Sequence, residues 1–535
     1  MLQMTVALLP MLDSVLIKRG LAQQVSSAFF IRKAKIYDVF ALLRSFKPLL
    51  DSFDERANGL RLRVTLVDET LFRRDVAESS LAEIFALRLL MPYVPLVGEA
   101  GLREMEIVYK ANIVQSLLRD IVLDHKLAAL ELRVKPEYFL YEKIRKTTAV
   151  FPPLRQEVWE AFFGEDYQEK IRKSISGFEA AAETLCREGV IEKDEDTLRL
   201  TMDGYNRFQS RPGIVDPRRV EEAIRKFLSW PSVSRASIKT TVDTLSRIVH
   251  TPPLTLDVKF PEPGDFLFVR TASGVQPLSE QLDIREMVKH LFAEKETDYE
   301  IRRVGGALNS AYLLTFPRKG NGSSVFVKKY LNWTDFKWVV ARIWALGIKN
   351  FSLSAATRMA TEIFFLNSLR DYGFDTPDIL HVNWRKKILF LRYVEGTSLL
   401  EAWTGKHAER KRFARDAGTV LAKIHGQDVT IGDCKPDSFI MSMEGVIYVT
   451  DLEQAAHGGD KAWDVTELIL YPGHYLSSNE AADMASATIS GYLTAGEVSV
   501  VEDALQPRYL RALIPWTSPS VQKAIVDAVR RETRA

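Results

Sequence analysis

The sequence predicts an α+β multidomain chain, and three observations carry that prediction. Its 535 residues suit about two to four domains of roughly 100–200 residues each. Short stretches alternate polar and apolar side chains, as half-buried strands do, and are interleaved with longer stretches of helical period. A break marked by Pro and Gly over 211–264 then separates an N-terminal half from a longer C-terminal domain. The expected organisation is a mixed α/β domain over 1–150, a winged-helix-like domain over 151–210, a helical linker over 211–264 and a further domain over 265–535.

Bulk properties narrow the class. Hydrophobic residues make up 46% and charged residues 27%, the balance of an ordinary globular chain. The formal net charge is +2, so nothing global draws the chain to nucleic acid or anionic membrane, and any basic partner surface is local. Two cysteines, Cys186 and Cys434, exclude a disulfide framework and a cysteine zinc site; a cytoplasmic location is expected. No window approaches 18 uninterrupted apolar residues, so no transmembrane segment is expected. Residues 1–20 lack a basic leading region and are interrupted by Pro10 and Asp13; they read as a buried strand or helix rather than a signal peptide.

In the first domain, 61–67 alternates as a half-buried strand, and helices are expected over 79–91 and 102–124. The second helix carries Met105, Val108, Ile113, Leu117 and Leu118 on about one face, with Arg103, Lys110 and Arg119 on an expected solvated face. In the second domain, helices over 154–163 and 166–176 lead to a third that ends before Gly189, and 196–208 supplies wing strands. The third helix sets Glu179, Glu183 and Glu188 against Arg187, which would repel phosphates, so a protein-contact or spacer role is expected over DNA binding. Between 211 and 264, Arg235, Lys239 and Arg247 are expected on a solvated helix face.

The C-terminal domain is organised around 424–464. That stretch holds Asp433 and Asp451, each ending or following a short β-type run. Phosphoryl transfer uses one carboxylate to accept or orient the attacking hydroxyl and another to hold the metal on the nucleotide phosphates. Upstream, two strands over 301–316 flank Gly305-Gly306-Ala307-Leu308-Asn309-Ser310, a loop whose backbone N–H groups could approach phosphates without side-chain obstruction. The strand over 323–330 ends in Lys328 and Lys329. Strand alternation lets only one point inward; Lys328 is favoured, with Lys329 the alternative. A helix is expected over 355–369 and carries Glu362. The tryptophan-bearing stretch 332–351 reads as an amphipathic helix with a core-facing stripe, and 387–396 as a strand running into a turn.

The ordered set of motifs over about 300–475 resembles the protein-kinase-like superfamily in its small atypical branches. Those branches include the kinase of the KEOPS tRNA-modification complex, RIO kinases, lipopolysaccharide-core kinases and aminoglycoside phosphotransferases. The resemblance implies a bilobal kinase-like fold over 265–535, with lobes of about 265–395 and 396–535, and ATP and Mg²⁺ (or Mn²⁺) as cofactors. It implies Asp433 as catalytic base, Lys435 neutralising charge on the transferred group, and Asp451 as metal ligand. Gly305, Gly306, Asn309 and Ser310 would line the phosphates, Lys328 with Glu362 would place them, and the backbone of Arg392, Tyr393 and Val394 would meet the adenine edge. Asp464 would brace the catalytic loop.

Two positions depart from the family pattern. Ile431 stands where a supporting histidine is usual, and Ser438 where an asparagine binds the second metal. A serine hydroxyl is a shorter-reaching ligand, so the site would keep more water or recruit Glu453. The expected activity is an atypical serine/threonine protein kinase. The alternatives are a small-molecule kinase of the sugar or aminoglycoside type, and a nucleotide-binding pseudokinase adaptor whose N-terminal half contacts nucleic acid or protein.

Overall fold

The computed structural model describes residues 2–209, 260–292, 299–304, 310–316, 323–332 and 351–534, apart from 34–35, 48, 58–59, 82, 151–153, 165 and 353. Most of the expected linker, the tryptophan-bearing stretch 333–350, and Gly305, Gly306 and Asn309 lie outside these residues. The chain is mixed α and β and divides into two compact units. One comprises Met1–Leu123 and Arg133–Leu267, the other Asp124–Leu132 and Phe268–Ala535. No described helix is long and apolar enough to cross a membrane.

The first unit is built on a five-stranded sheet. Its strands are β1 (Val25–Arg32), β2 (Tyr37–Leu43), β3 (Leu50–Ala57), β4 (Leu60–Asp68) and β5 (Val94–Val97), in the order β3-β4-β2-β1-β5. The β2–β4 pair is parallel and the others antiparallel. Helix α1 (Leu2–Lys18) presents Leu8, Leu12 and Leu16 at helical spacing to Phe30, Val39, Ala41, Val64 and Leu66 of the sheet, so the apolar start of the chain is a core helix.

The expected helix over 79–91 is not formed. Helix α2 (Glu69–Glu78) comes earlier, capped by Asp68, whose side chain accepts from the N–H groups of Thr70 and Leu71. It stops at Ser79, which is left-handed at φ 54°. The following residues are instead gathered around the buried Asp75 carboxylate. That group accepts backbone N–H groups from Leu81 (2.8 Å), Glu83 (3.1 Å), Phe85 (3.0 Å) and Ala86 (3.0 Å). Donors satisfied by a side chain need no helical ladder.

Helix α3 (Glu99–His125) matches its expected span, but two of its side chains do not sit as its periodicity implied. Val108 is 42% exposed, and Lys110 is fully buried. The Lys110 ammonium donates to Glu106 and to the Ser174 carbonyl, both at 2.7 Å. Pairing of this kind is what allows a lysine into a core.

Helices α4 (Pro136–Val150) and α5 (Leu154–Phe162) follow, then α6 (Tyr167–Arg187), one continuous helix where two were expected. Strands β7 (Ile191–Asp194) and β8 (Thr197–Leu200) form a hairpin, with β8 also paired to Arg133 and Val134 of β6 (Leu132–Val134). The expected second wing stretch is instead helix α7 (Met202–Gln209), started where Thr201 Oγ1 accepts the Gly204 N–H at 3.0 Å.

The second unit opens with the hairpin β9 (Leu267–Thr271) and β10 (Gly274–Pro277) and helix α8 (Ile284–Phe292). A five-stranded antiparallel sheet follows in the order β11-β12-β13-β15-β14. Its strands are Glu300–Arg303, Ser310–Phe316, Ser323–Lys329, Ile379–Asn383 (β14) and Ile388–Arg392 (β15). Strand alternation fixes its faces: Val325 and Val327 join Leu314, Phe316 and Phe390 against Met287 and Val288 of α8, while Phe326 and Lys328 face a cavity. Helix α9 (Ala355–Asp371) packs as a buried helix, with Asn367 donating to Glu131 at 2.9 Å.

Helices α10 (Leu399–Thr404) and α11 (Arg410–Gly426) lead to two small sheets, β16-β18-β19 (Gly396–Ser398, Phe439–Ser442, Ile447–Val449) and β17-β20 (Val429–Thr430, Ala456–His457). Helices α12 (Lys461–Leu470), α13 (Ser478–Tyr492), α14 (Val498–Ala504), α15 (Pro507–Leu513) and α16 (Pro519–Glu532) complete the unit. Helices α11 and α13 approach through glycines. A Cβ at Gly418 would run into the Thr488 carbonyl, and one at Gly491 into that of Arg415.

Asp75→Ala should expose the dependence of 81–86 on one carboxylate. Leaving buried N–H groups without acceptors costs about 1–3 kcal/mol each, so urea denaturation should show a loss of about 3 kcal/mol or more.

Candidate functional site

Three segments far apart in sequence bring charge to one place in the second unit. Lys328 is the last inward residue of β13, its strand pinned between β12 and β15. Lys329, one residue on, is exposed. The Lys328 ammonium lies 2.7 Å from Glu362 Oε2 on α9, 2.5 Å from Asp451 Oδ1 and 3.1 Å from Glu453 Oε2. Burial alone would lower its pKa, but Asp451, Glu362 and Glu453 together raise it well above the lysine norm, so it stays charged. Glu362 Oε2 also accepts the Tyr330 hydroxyl at 2.5 Å. Burial pushes the Glu362 carboxyl up to about 7, against the pull of Lys328.

The second cluster sits on the loop after β17. Gly432, at φ 85°, takes a left-handed turn that suits glycine. Asp464, buried on the first turn of α12, accepts the Ile431 N–H at 2.6 Å and the Gly432 N–H at 2.7 Å, and faces His425 Nε2 at 3.3 Å. His425 Nδ1 meets the Tyr492 hydroxyl at 2.8 Å, so α13 also supports the loop. One turn along α12 from Asp464, Glu467 accepts the Cys434 N–H at 2.8 Å, and Trp463 Nε1 donates to the Gly432 carbonyl at 3.2 Å. The loop is thus held by its backbone. Ile431 packs fully buried beneath the loop.

That support presents Asp433 and Lys435. Their side chains meet at 2.7 and 2.9 Å, and the Lys435 ammonium lies 5.4 Å from the Tyr471 ring centroid. Although burial opposes the charged form, Asp433 and then Glu467 hold the Lys435 pKa well above its ordinary value. Both clusters line one cavity of about 540 Å³, together with Ala311, Phe326, Leu391, Ile440 and Asp437. Arg392, Tyr393 and Val394 line it as well. The N–H of Arg392 already donates to the Asp378 carbonyl at 2.8 Å, and that of Tyr393 to the Ser324 carbonyl at 3.3 Å. Ser310, where β12 begins, is half-buried and paired with Lys329.

The carboxylates of Glu362, Asp451 and Glu453 bring oxygens within 4.8 Å of one another, a spacing that could hold a cation. In this arrangement the Lys328 ammonium satisfies them, and a divalent ion seated among all three would compete with it. Glu453 is 5% exposed and its Oε1 also takes Arg358 at 3.1 Å, whereas the Asp451 side chain is 45% exposed and lines the cavity. The donor set therefore fits a hard cation chiefly through Asp451. Ser438 is buried, and its hydroxyl donates to the Asp433 carbonyl at 3.4 Å.

Arg358, Tyr330 and Glu467 escaped the sequence reading, although each carried a signal. Arg358 lies one helical turn before Glu362, Tyr330 two strand positions after Lys328, and Glu467 one turn after Asp464. Each shares a face with a residue already singled out.

Two measurements follow from this geometry. Glu362 binds its proton more tightly folded, near pH 7, than at its ordinary 4.5. The resulting stabilisation is full below pH 4.5 and is lost as pH rises through 7, with a slope of up to about 1.4 kcal/mol per pH unit. In metal-free buffer, the stability of the wild type relative to Glu362→Gln should fall across that window; parallel profiles would contradict it. Asp464→Ala leaves two buried N–H groups without acceptors and should lower stability by about 3 kcal/mol or more in denaturant titrations.

No protein-family model matches this chain, and no curated protein matches it either.

Proposed function

We propose that this chain is an ATP-dependent phosphotransferase with a bilobal, protein-kinase-like C-terminal domain, acting on a hydroxyl group, foremost a protein serine or threonine. The observation that carries the reading is one cavity lined by Lys328 and Glu362, by Asp451, and by Asp433 with Lys435. Its volume of about 540 Å³ falls in the range of small-ligand pockets. The antiparallel sheet gives the cavity Phe326, Lys328 and Leu391, and the chain after Thr397 gives it Asp433, Lys435 and Asp451, which supports a two-lobed reading. The presence of an N-terminal unit besides the one that bears the site favours a macromolecular acceptor over a sugar or aminoglycoside.

In this reading Lys328 is kept charged by its carboxylates and positioned by Glu362 to meet the nucleotide phosphates. Asp433 accepts or orients the proton of the attacking hydroxyl. Lys435, tethered to Asp433, offsets negative charge on the group in transit. The phenyl ring of Phe326 and the side chains of Leu391 and Ile440 give the base an apolar bed, with the Val394 N–H at its edge. Bound Mg²⁺ or Mn²⁺, held through Asp451, would supply neutralisation of phosphate charge. Asp464, Glu467 and Trp463 fix the loop and touch no substrate.

A second reading, nucleotide binding without turnover, is favoured by Ser438. Its hydroxyl is turned to the Asp433 carbonyl rather than offered as a ligand.

Phosphate transfer from labelled ATP separates the two. With Mg²⁺ or Mn²⁺ and a mixed protein acceptor, the wild type should incorporate label, and Asp433→Ala and Asp451→Ala should each lose about 10²–10⁴-fold. Calorimetric ATP binding with wild type and variants equally silent in transfer would favour the second reading. Absence of any nucleotide binding would overturn both.

A further inference from the structure

The two residues that follow the Asp451–Leu452 pair tie their loop to the start of α9. Arg358, one turn before Glu362, is fully buried. Its Nη1 donates to Glu453 Oε1 at 3.1 Å, and its Nη2 donates to the Leu331 carbonyl, just beyond Tyr330. Gln454 makes the second tie. Its Oε1 accepts the Ser352 N–H at 2.9 Å, and its Nε2 donates to the Ser352 carbonyl at 3.2 Å. One amide group thereby grips both backbone groups of a residue three before α9. The helix start is itself fixed, since Asn332 Oδ1 accepts the Ala355 N–H at 3.0 Å and Ser354 caps the first turn.

The chain between Asp451 and α12 is short. It reads DLEQAAHGGDK and holds no serine, threonine or tyrosine. Part of it is already spent on β20, which pairs with β17 through Val429–His457 and Thr430–Ala456. No hydroxyl is present in this stretch whose phosphorylation could order it.

We propose that Glu453 and Gln454 form a clamp on α9 that keeps the site assembled without covalent modification, Glu453 being a positioning residue and not a metal ligand. This rests on the phosphotransferase reading for its consequence, but the clamp itself is a property of the unliganded chain. Asp451 carries the metal contact, while Glu453, shared between Arg358 and Lys328, sets where Asp451 stands relative to Glu362.

The test compares full-length wild type, Gln454→Ala, Glu453→Gln and Asp451→Asn by amide hydrogen exchange without ligand, and by Mg²⁺ titration of ATP binding. Gln454→Ala should speed exchange at Ser352 and through 453–456 by about 10-fold or more. The Mg²⁺ concentration for half-maximal ATP binding should move by less than about threefold in Gln454→Ala and Glu453→Gln, and by about 10-fold or more in Asp451→Asn. Phosphatase treatment of the wild type should leave its exchange pattern unchanged. The clamp is overturned by unaltered exchange in Gln454→Ala, by deprotection after phosphatase, or by a Glu453→Gln shift in metal requirement as large as that of Asp451→Asn. A wild type that binds no ATP yet shows the expected exchange would sink the phosphotransferase reading and leave the clamp standing.

Discussion

The second unit depends on one buried ammonium. Taking a lysine and its carboxylates out of water costs several kcal/mol per ion unless geometry is good and the remaining polar atoms are satisfied. Lys328 meets that condition with three carboxylates from two other segments, Glu362 on α9 and Asp451 and Glu453 on the loop before β20. Tyr330 shares Glu362 Oε2 with Lys328, and Arg358 takes the Glu453 oxygen that Lys328 leaves. Because each partner is nearly useless without the others, strand, helix and loop are fixed relative to one another by charge compensation as much as by apolar packing. A well-packed apolar cluster could hold the same elements together, but it would not place a cation and an exposed carboxylate side by side at the wall of a cavity.

The loop carrying Asp433 is held by a different device. Its backbone N–H groups are claimed by Asp464 and Glu467 from a single face of α12, and Asp464 is in turn oriented by His425 and Tyr492. Backbone gripping explains why Ile431 can occupy a position where a polar supporter was expected. The side chain there is not needed to hold the loop, so an apolar residue is free to fill the core beneath it. Glycines at 418 and 491 belong to the same support, since they let α11 and α13 close up and bring Tyr492 to His425.

How much of this was legible in the sequence follows from the range of each interaction. Short-range features were readable: the alternation that turns Lys328 inward and Lys329 outward, the helix bearing Glu362, and the paired aspartates around a hairpin. Long-range compensation was not. Glu106 lies one turn before Lys110, but the Ser174 carbonyl that completes the burial of Lys110 arrives from another helix. Helical period placed Lys110 with the charged residues, and pairing overrode it. Likewise the expected helix over 79–91 had acceptable propensity but lost its backbone donors to Asp75, a competition that hydrophobic patterning does not register.

Asp451 shows how the two kinds of constraint combine. It adopts φ 59°, a left-handed conformation that non-glycine residues take at some cost, although aspartate tolerates it better than most. The strain is kept because both flanks are pinned: Val449 donates to the Asp375 carbonyl and Thr450 to the Ser438 carbonyl on one side, and Glu453 and Gln454 grip α9 on the other. With its neighbours immobilised, the turn at Asp451 lifts one carboxylate out of the buried cluster into the cavity wall while Lys328 still holds one of its oxygens. A relaxed backbone at that position would point the group elsewhere. The energy stored in one dihedral is therefore set against the backbone hydrogen bonds before it and the Glu453 and Gln454 contacts after it, and the balance leaves a half-exposed carboxylate lining the same cavity as Asp433 and Lys435.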